Sequence, residues 1–502
     1  MNAAFFINDL KTEFFHAASI QLNKMGHDIF WISSSNTWSK WLRKHGVSKS
    51  KILNLSEYGP EWTGKKSLSP EEELELNRLE MQSEETINNL LLMDRYSISK
   101  LYPQMRVCLY VAAREFRRFM IENKIKTLFS EATWALELLA ILICRSIGGK
   151  CYCPSTTRIP SNRFCFFESY RQSSVAFIRK SDEKDMKKAE EFLDYYLNNN
   201  VKPYYWYKGN KPPRPYLNWL KKYFKNLQRN NEDKYEQMRI PSFPLAVIRL
   251  SNVIKYRWFK YTKPFEDISL PPARPYVLYA LHQQPESSID VQGAFFSNQV
   301  ELIKSIARSV PSTHDFYVKD HRSCIGERPL RFYKTIKSIP GVRLIDPFVD
   351  SHRLIKHADL VISVSGTIAY EAALFGRPAM SVANMYFGPI LTVNGINPYR
   401  ESFGDIFNCL SDKRKCDAES RRQNNIKFLA WLIAQSFEGI VSDSISNPEC
   451  IYPENIKRVA QAMNVVLEKQ STDMQRLKVR STAKVDIQLD NSKYHSAAVS
   501  KC

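Results

Sequence analysis

Two hydrophobic rhythms alternate along most of this chain: short apolar runs bounded by turn residues, and longer stretches with apolar positions three or four apart. Residues 3–8 read as a buried strand. Residues 11–24 read as an amphipathic helix with Phe15, Ala18, Ile20 and Leu22 among its apolar positions, and Ile29-Phe30-Trp31-Ile32 as a second strand after a Gly26-His27 break. A β-α-β unit therefore opens the chain. Ser69-Pro70-Glu71-Glu72-Glu73 combines a cap, a proline at the first helical position and acids in the first turn. It predicts a helix start, with the helix running into the low 90s. A helix over 104–122, a strand at Thr127-Leu128-Phe129 ending at Glu131, a helix to Ile147 and a strand at 150–153 follow. These elements make residues 1–175 an N-terminal Rossmann-like domain.

The rhythm lapses over residues 176–270 and returns at Tyr276. Strands are expected at 277–280, 316–318 and 342–345, with helices over 296–310 and 330–339 between them. The run Asp359-Leu360-Val361-Ile362-Ser363-Val364-Ser365-Gly366-Thr367 then reads as a strand and turn, followed by a helix carrying Glu371, a stop at Gly376 and a further strand. Helices at 418–437 and 454–469 close a C-terminal Rossmann-like domain of residues 271–470, and 471–502 form a polar tail expected to be disordered. The fold class is α/β: two Rossmann-like domains facing a cleft, GT-B-like, with an insertion between them. Ligands of open α/β sheets bind at strand carboxyl ends.

Composition sharpens one feature of this plan. The formal charge is +20, and residues 202–263 alone hold fifteen Lys and Arg against three acids, interleaved with fourteen aromatic residues. Pro203, Pro212, Pro213 and Pro215 break its start, and a short basic helix is expected at 216–229. Such a segment suits an anionic membrane surface or simple packing of its own rings better than nucleic acid, for which no signature accompanies it. No nucleic acid partner is expected. The N-terminus lacks a basic region and a long apolar core, and the longest apolar run is about half a membrane span. The expectation is a cytoplasmic protein, peripheral on the inner face of the cytoplasmic membrane. Ten cysteines include no Cys-x-x-Cys pair, so neither disulfides nor a structural zinc are expected.

Candidate chemistry clusters after the predicted strands. Ser365-Gly366-Thr367 would aim free backbone N–H groups and a helix dipole at a donor phosphate, with Glu371 accepting from a sugar hydroxyl. The competing reading makes Ser365 a helix cap and Glu371 a solvated acid. Lys319 and His321, at the end of Tyr317-Val318-Lys319-Asp320-His321, are placed to meet a phosphate or leaving group, with Arg328 as a further bidentate contact. His282 and Glu286, in Leu281-His282-Gln283-Gln284-Pro285-Glu286, are candidates for the base acting on an acceptor hydroxyl. On the N-terminal side Asp9, His16 and Glu131 are weaker candidates for the acceptor site. No Asp-x-Asp cluster appears, so no metal and no cofactor beyond the nucleotide sugar is expected.

Tyr279-Ala280-Leu281-His282-Gln283-Gln284-Pro285-Glu286, Asn298-Gln299, Tyr317-Val318-Lys319-Asp320-His321, Arg331-Phe332-Tyr333, and Ser365-Gly366-Thr367 with Glu371-Ala372-Ala373 and Gly376-Arg377-Pro378 together resemble the bacterial capsule polysaccharide biosynthesis protein family. That family is GT-B-like and related to retaining β-Kdo transferases, which use CMP-Kdo. The resemblance covers roughly residues 276–390. The family's Lys-Glu-His-Pro stands here as Lys319-Asp320-His321-Arg322, and the missing proline bears on nucleotide identity. The resemblance implies that His321, Ser365, Thr367 and Glu371 touch the donor. It further implies a glycosyltransferase of capsular or surface polysaccharide synthesis, acting on a glycan or lipid-linked acceptor and working with other polysaccharide assembly proteins. Two alternatives stay open: a nucleotide-sugar 2-epimerase of the same fold, and a non-catalytic membrane-docking subunit of an assembly or export complex.

Overall fold

The structure is a computed structural model. It describes residues 1–473 except 8, 84, 96–99, 200, 202–226, 228, 230, 238–241, 267, 269–270, 397–405 and 407–417. The expected basic helix at 216–229 and the tail beyond 473 lie largely or wholly outside the described residues.

Among the described residues thirteen strands form two sheets. The first sheet contains β1 (Asn2–Phe6), β2 (Asp28–Ser33), β3 (Ile52–Asn54), β4 (Thr127–Phe129), β5 (Lys150–Thr156) and β6 (Arg163–Phe167). The second contains β7 (Tyr276–Ala280), β8 (Asp315–Lys319), β9 (Val342–Ile345), β10 (Leu360–Ser363), β11 (Ala379–Ser381) and β12 (Val393–Asn394). A short β13 (Phe437–Glu438) returns to the first sheet, giving the orders β13-β6-β5-β4-β1-β2-β3 and β12-β11-β10-β7-β8-β9. All pairings are parallel except β5 with β6 and β6 with β13.

The central strands are apolar throughout because both faces are covered. In β1, Ala3 and Phe5 pack into one buried cluster while Ala4 and Phe6 pack into another. In β7, Tyr276 and Leu278 face one cluster while Val277 and Tyr279 face the other. The alternation is the two-residue period of a strand made visible on two packed faces. One cluster runs through residues of both sheets, so the two halves share a continuous apolar core.

The expected cap at Ser69 is present and is a full capping box: the Ser69 hydroxyl accepts from the Glu72 N–H and the Glu72 carboxylate accepts from the Ser69 N–H. That helix stops at Met81, and a second, Ile87–Met93, carries the pattern on. Residues 437–473 need a correction. β13 pairs with β6, and the helix over 453–473 buries Ile456, Val459, Met463 and Leu467 against Phe5, Phe14 and Phe15. The chain thus crosses back, and its last described helix covers the N-terminal sheet rather than closing the second domain. Two helices absent from the sequence reading lie in the 176–270 region: Glu183–Asn199, which packs along Ala418–Gln435 with Arg422 bonded to Asp194 and Glu190, and Ser242–Thr262.

The halves are also joined by buried hydrogen bonds. Tyr370 Oη donates to the Ile159 carbonyl at 2.8 Å, and the Tyr386 N–H donates to the Gln172 carbonyl at 3.0 Å. Replacing Tyr370 with Phe removes the donor and strands a buried acceptor. A loss of about 1–2 kcal/mol is expected, read as a lower urea midpoint at unchanged slope.

Candidate functional site

A cavity of about 810 Å³ opens where the carboxyl ends of β5, β7, β8 and β10 converge. Ser155, Thr156, Arg158 and Gln172 come from the N-terminal half. His282, Glu286, Lys319, His321, Ser365, Gly366, Thr367 and Glu371 come from the C-terminal half. Eight of the sequence candidates therefore share one cleft.

The turn after β10 is built from the inside. The Ser365 N–H donates to His282 Nε2 at 3.2 Å, and the Gly366 N–H donates to the Ser363 hydroxyl at 2.6 Å. The Ser365 hydroxyl is not a helix cap: it donates to the Ser288 carbonyl at 2.6 Å. The helix Thr367–Leu374 has Gly366 at its cap position with no side-chain cap. Its first N–H groups, those of Thr367 and Ile368, have no hydrogen-bond partner among the described residues, and both residues line the cavity. That leaves donors at the positive end of a helix dipole for an anionic ligand. Gly366 is needed for closeness: a Cβ there would lie 2.5 Å from the Ser363 hydroxyl and 3.2 Å from the His282 ring.

His282 is buried and its backbone is clamped. Its N–H donates to Gln299 Oε1 at 2.8 Å, and its carbonyl accepts from Gln299 Nε2 at 3.3 Å and from the Arg328 guanidinium. Burial, with the positive charge of Arg158 next in weight, pulls its pKa down to about 3. The ring is neutral at pH 7, as its acceptor role toward Ser365 requires. His321 is pulled down to about 4, also chiefly by burial, and its Nδ1 accepts from the Ser323 N–H at 3.2 Å. Lys319 is lowered to about 8 by burial and then by Arg322, and its ammonium donates to the Pro347 carbonyl at 2.8 Å.

Glu286 is accessible but walled in by the cleft, and that crowding holds its carboxyl above the ordinary range. Glu371 is buried against the cavity, with one oxygen 3.1 Å from His352 Nε2. Arg328 does not line the cavity. Its Nε donates to Asp320 at 3.1 Å, and Asp320 also accepts from Tyr333 Oη at 2.6 Å and the His321 N–H at 2.7 Å. Its charge is spent on a buried carboxylate.

The N-terminal candidates sit elsewhere. Asp9 accepts from the Trp38 indole and Arg229, His16 lies among the rings of Trp31, Trp41 and His45, and Glu131 pairs with Lys11. None of the three lines the cavity. The residue from that half that does reach across is Arg158, in the left-handed region at φ 62°. Its guanidinium donates to the Ser365 carbonyl, to Gln172 Oε1 at 2.9 Å and to Gln292 Oε1 at 3.0 Å. The only sequence signal for it was position: a cation just past a strand in a Pro-containing loop.

Two largely parallel sheets with a cavity at their carboxyl ends are the arrangement expected of a GT-B-like fold. No family model matches the chain, and no curated protein matches it. Solved structures that resemble it include the Thermosulfurimonas dismutans KpsC β-Kdo 2,7-transferase, at 12% identity and TM-score 0.36 over 69% of this chain and 89% of that one. Another is the UDP-GlcNAc 2-epimerase from Neisseria meningitidis bound to UDP-GlcNAc, at 12% identity and TM-score 0.28 over 86% and 98%. A third is the glycosyltransferase VinC in complex with dTDP, at 10% identity and TM-score 0.24 over 86% and 98%. At these identities and scores they are coarse likenesses and carry no functional argument.

The depressed histidine sets a pH dependence. The unfolded chain takes up a proton at His282 near pH 6.5 and the folded chain only near pH 3. The unfolded state thus binds more protons between those values, and stability falls as pH falls from 6.5 toward 3. The expected slope is about 1.4 kcal/mol per pH unit from this one group, absent above pH 7. Denaturant titrations at pH 7.5, 6 and 5 should show it, and His282→Gln should flatten the slope by one proton even if it lowers stability throughout.

Proposed function

We propose that this protein is a glycosyltransferase of capsular or surface polysaccharide synthesis, moving a sugar from a nucleotide-sugar donor to a glycan or lipid-linked acceptor. One observation carries the reading: an uncapped helix N-terminus, the cations Arg158 and Lys319 and the acids Glu286 and Glu371 meet in a single cleft between two α/β halves. The Thr367 and Ile368 N–H groups hold a donor phosphate, with Arg158 and Lys319 supplying positive charge as the nucleotide leaves. The second oxygen of Glu371 is available to a sugar hydroxyl. Glu286, whose raised pKa suits it to hold and release a proton, serves the acceptor hydroxyl. His282 and His321, both neutral, orient the loops and offer hydrogen bonds rather than charge. The family resemblance makes a CMP-linked sugar such as CMP-Kdo the first donor to try, and the acceptor is presented at the cytoplasmic face of the membrane.

A thermal-shift screen of CMP-, UDP-, GDP- and dTDP-linked sugars tests the donor site. One nucleotide class should raise the melting temperature by linkage, and no shift with any of them would overturn the reading. Gly366→Ala, which drives a methyl into Ser363 and His282, should weaken that donor at least about tenfold. Glu286→Gln should retain donor affinity while slowing transfer about a hundredfold or more. Interconversion of free sugar nucleotide without any acceptor would instead make the protein an epimerase.

A further inference from the structure

The helix Ser242–Thr262 leaves an apolar stripe uncovered. Phe243, Leu250, Ile254 and Tyr261 are 69%, 64%, 62% and 91% exposed. With Val247 they are spaced four, three, four and seven residues apart, so they share one face of the helix along its whole length. The opposite face is the one that packs. Phe259 is buried against Tyr333 with ring centroids 4.5 Å apart, and Lys255 donates to the Glu327 carbonyl at 3.1 Å. Gly326, at φ 86°, lets the helix backbone come close: a Cβ there would lie 2.8 Å from the Asn252 carbonyl oxygen. The helix is therefore anchored by one side, and its apolar stripe points away from the protein that anchors it.

The charge on this helix has one sign. Arg249, Lys255, Arg257 and Lys260 lie within it, Lys263 follows, and residues 242–263 contain no acid. On a 3.6-residue period Arg249 and Lys260 fall on one flank of the stripe, while Lys255 is held on the packing side by the Glu327 carbonyl. Arg257 lies beside the stripe itself. An exposed apolar line flanked by cations is the arrangement of a helix that lies in an interface, with its apolar face among acyl chains and its cations among anionic headgroups. Among the described residues no helix is long and apolar enough to cross a membrane. This mode of attachment needs none.

We infer that the Ser242–Thr262 helix is a docking surface for an anionic lipid bilayer, with Phe243, Val247, Leu250, Ile254 and Tyr261 inserting and the flanking Arg and Lys residues binding headgroups. The inference goes beyond the proposed reaction and does not rest on it. The anchoring side of the same helix reaches the cleft through Phe259 and Tyr333, whose hydroxyl donates to Asp320, so docking here would set the donor loops one helix diameter, about 10 Å, or more from the membrane surface.

Co-sedimentation of the full chain with vesicles tests it, using phosphatidylcholine alone against phosphatidylcholine with about a third phosphatidylglycerol. Wild-type protein should pellet with the anionic vesicles at least about tenfold more than with the neutral ones, and partly less at high salt. Leu250→Glu with Ile254→Glu, both at exposed positions, should abolish pelleting while leaving circular dichroism and melting temperature unchanged. Wild-type protein that stays in the supernatant, or a double variant that pellets equally, overturns the proposal. A wild-type dimer by light scattering without vesicles, made monomeric by the double variant, would give the stripe to a second copy instead. Loss of melting temperature in the double variant would give it to the chain's own residues.

Discussion

A neutral imidazole holds the cleft together. His282 joins the loop after β7 to the turn after β10 through one nitrogen, and its own backbone is gripped at both ends by Gln299 and Arg328. If that ring carried a proton it could not accept from Ser365, and two nearby cations, half-buried Arg158 and buried Arg328, would repel it. Burial therefore does chemical work before any ligand arrives: it fixes the protonation state on which the turn's shape depends. The turn in turn fixes where the first N–H groups of the Thr367–Leu374 helix point.

Around this center the charges divide by whether they are already satisfied. Arg328 and Asp320 form a buried pair completed by Tyr333 and the His321 N–H, an arrangement in which removing one partner would leave an uncompensated charge. Such a pair shapes the loop but has nothing left to offer a substrate. Arg158 differs. Its partners are neutral oxygens from both halves of the protein, so its positive charge is not cancelled and remains available in the cleft. Lys319, with a carbonyl for its partner, retains two further donors. Arg158 and Lys319 are thus candidates for an anionic ligand, one from each side of the cleft.

The route of the chain ties the two walls of the cleft together. The helix over 453–473 returns to the N-terminal sheet, β13 adds to its edge, and Tyr370 and Tyr386 reach from the second half to the loops around Ile159 and Gln172. Arg158 lies at the same seam, bonded to oxygens of both halves.

Much of the fold was legible because strands and helices bury their faces with different periods, and those periods survive in any sequence that folds. β1, β2, β7, β8 and β10, the helix start at Ser69 and the Ser365-Gly366-Thr367 turn were all read from local pattern, and His282, Glu286, Lys319 and His321 followed from sitting at or just past strand ends. Local pattern could not show which cations would be neutralised at home. Arg328 and Arg158 look alike in sequence, and only the fold brings Asp320 to one and the Ser365 carbonyl to the other. Nor could it place Asp9, His16 and Glu131 away from the cavity, or send the final helix back to the first sheet, or leave the Ser242–Thr262 stripe uncovered. Periodicity is a property of neighbours in the chain, whereas pairing, burial of charge and exposure depend on the folded path, which brings Asp320 to Arg328 across 8 positions and Ser365 to Arg158 across 207.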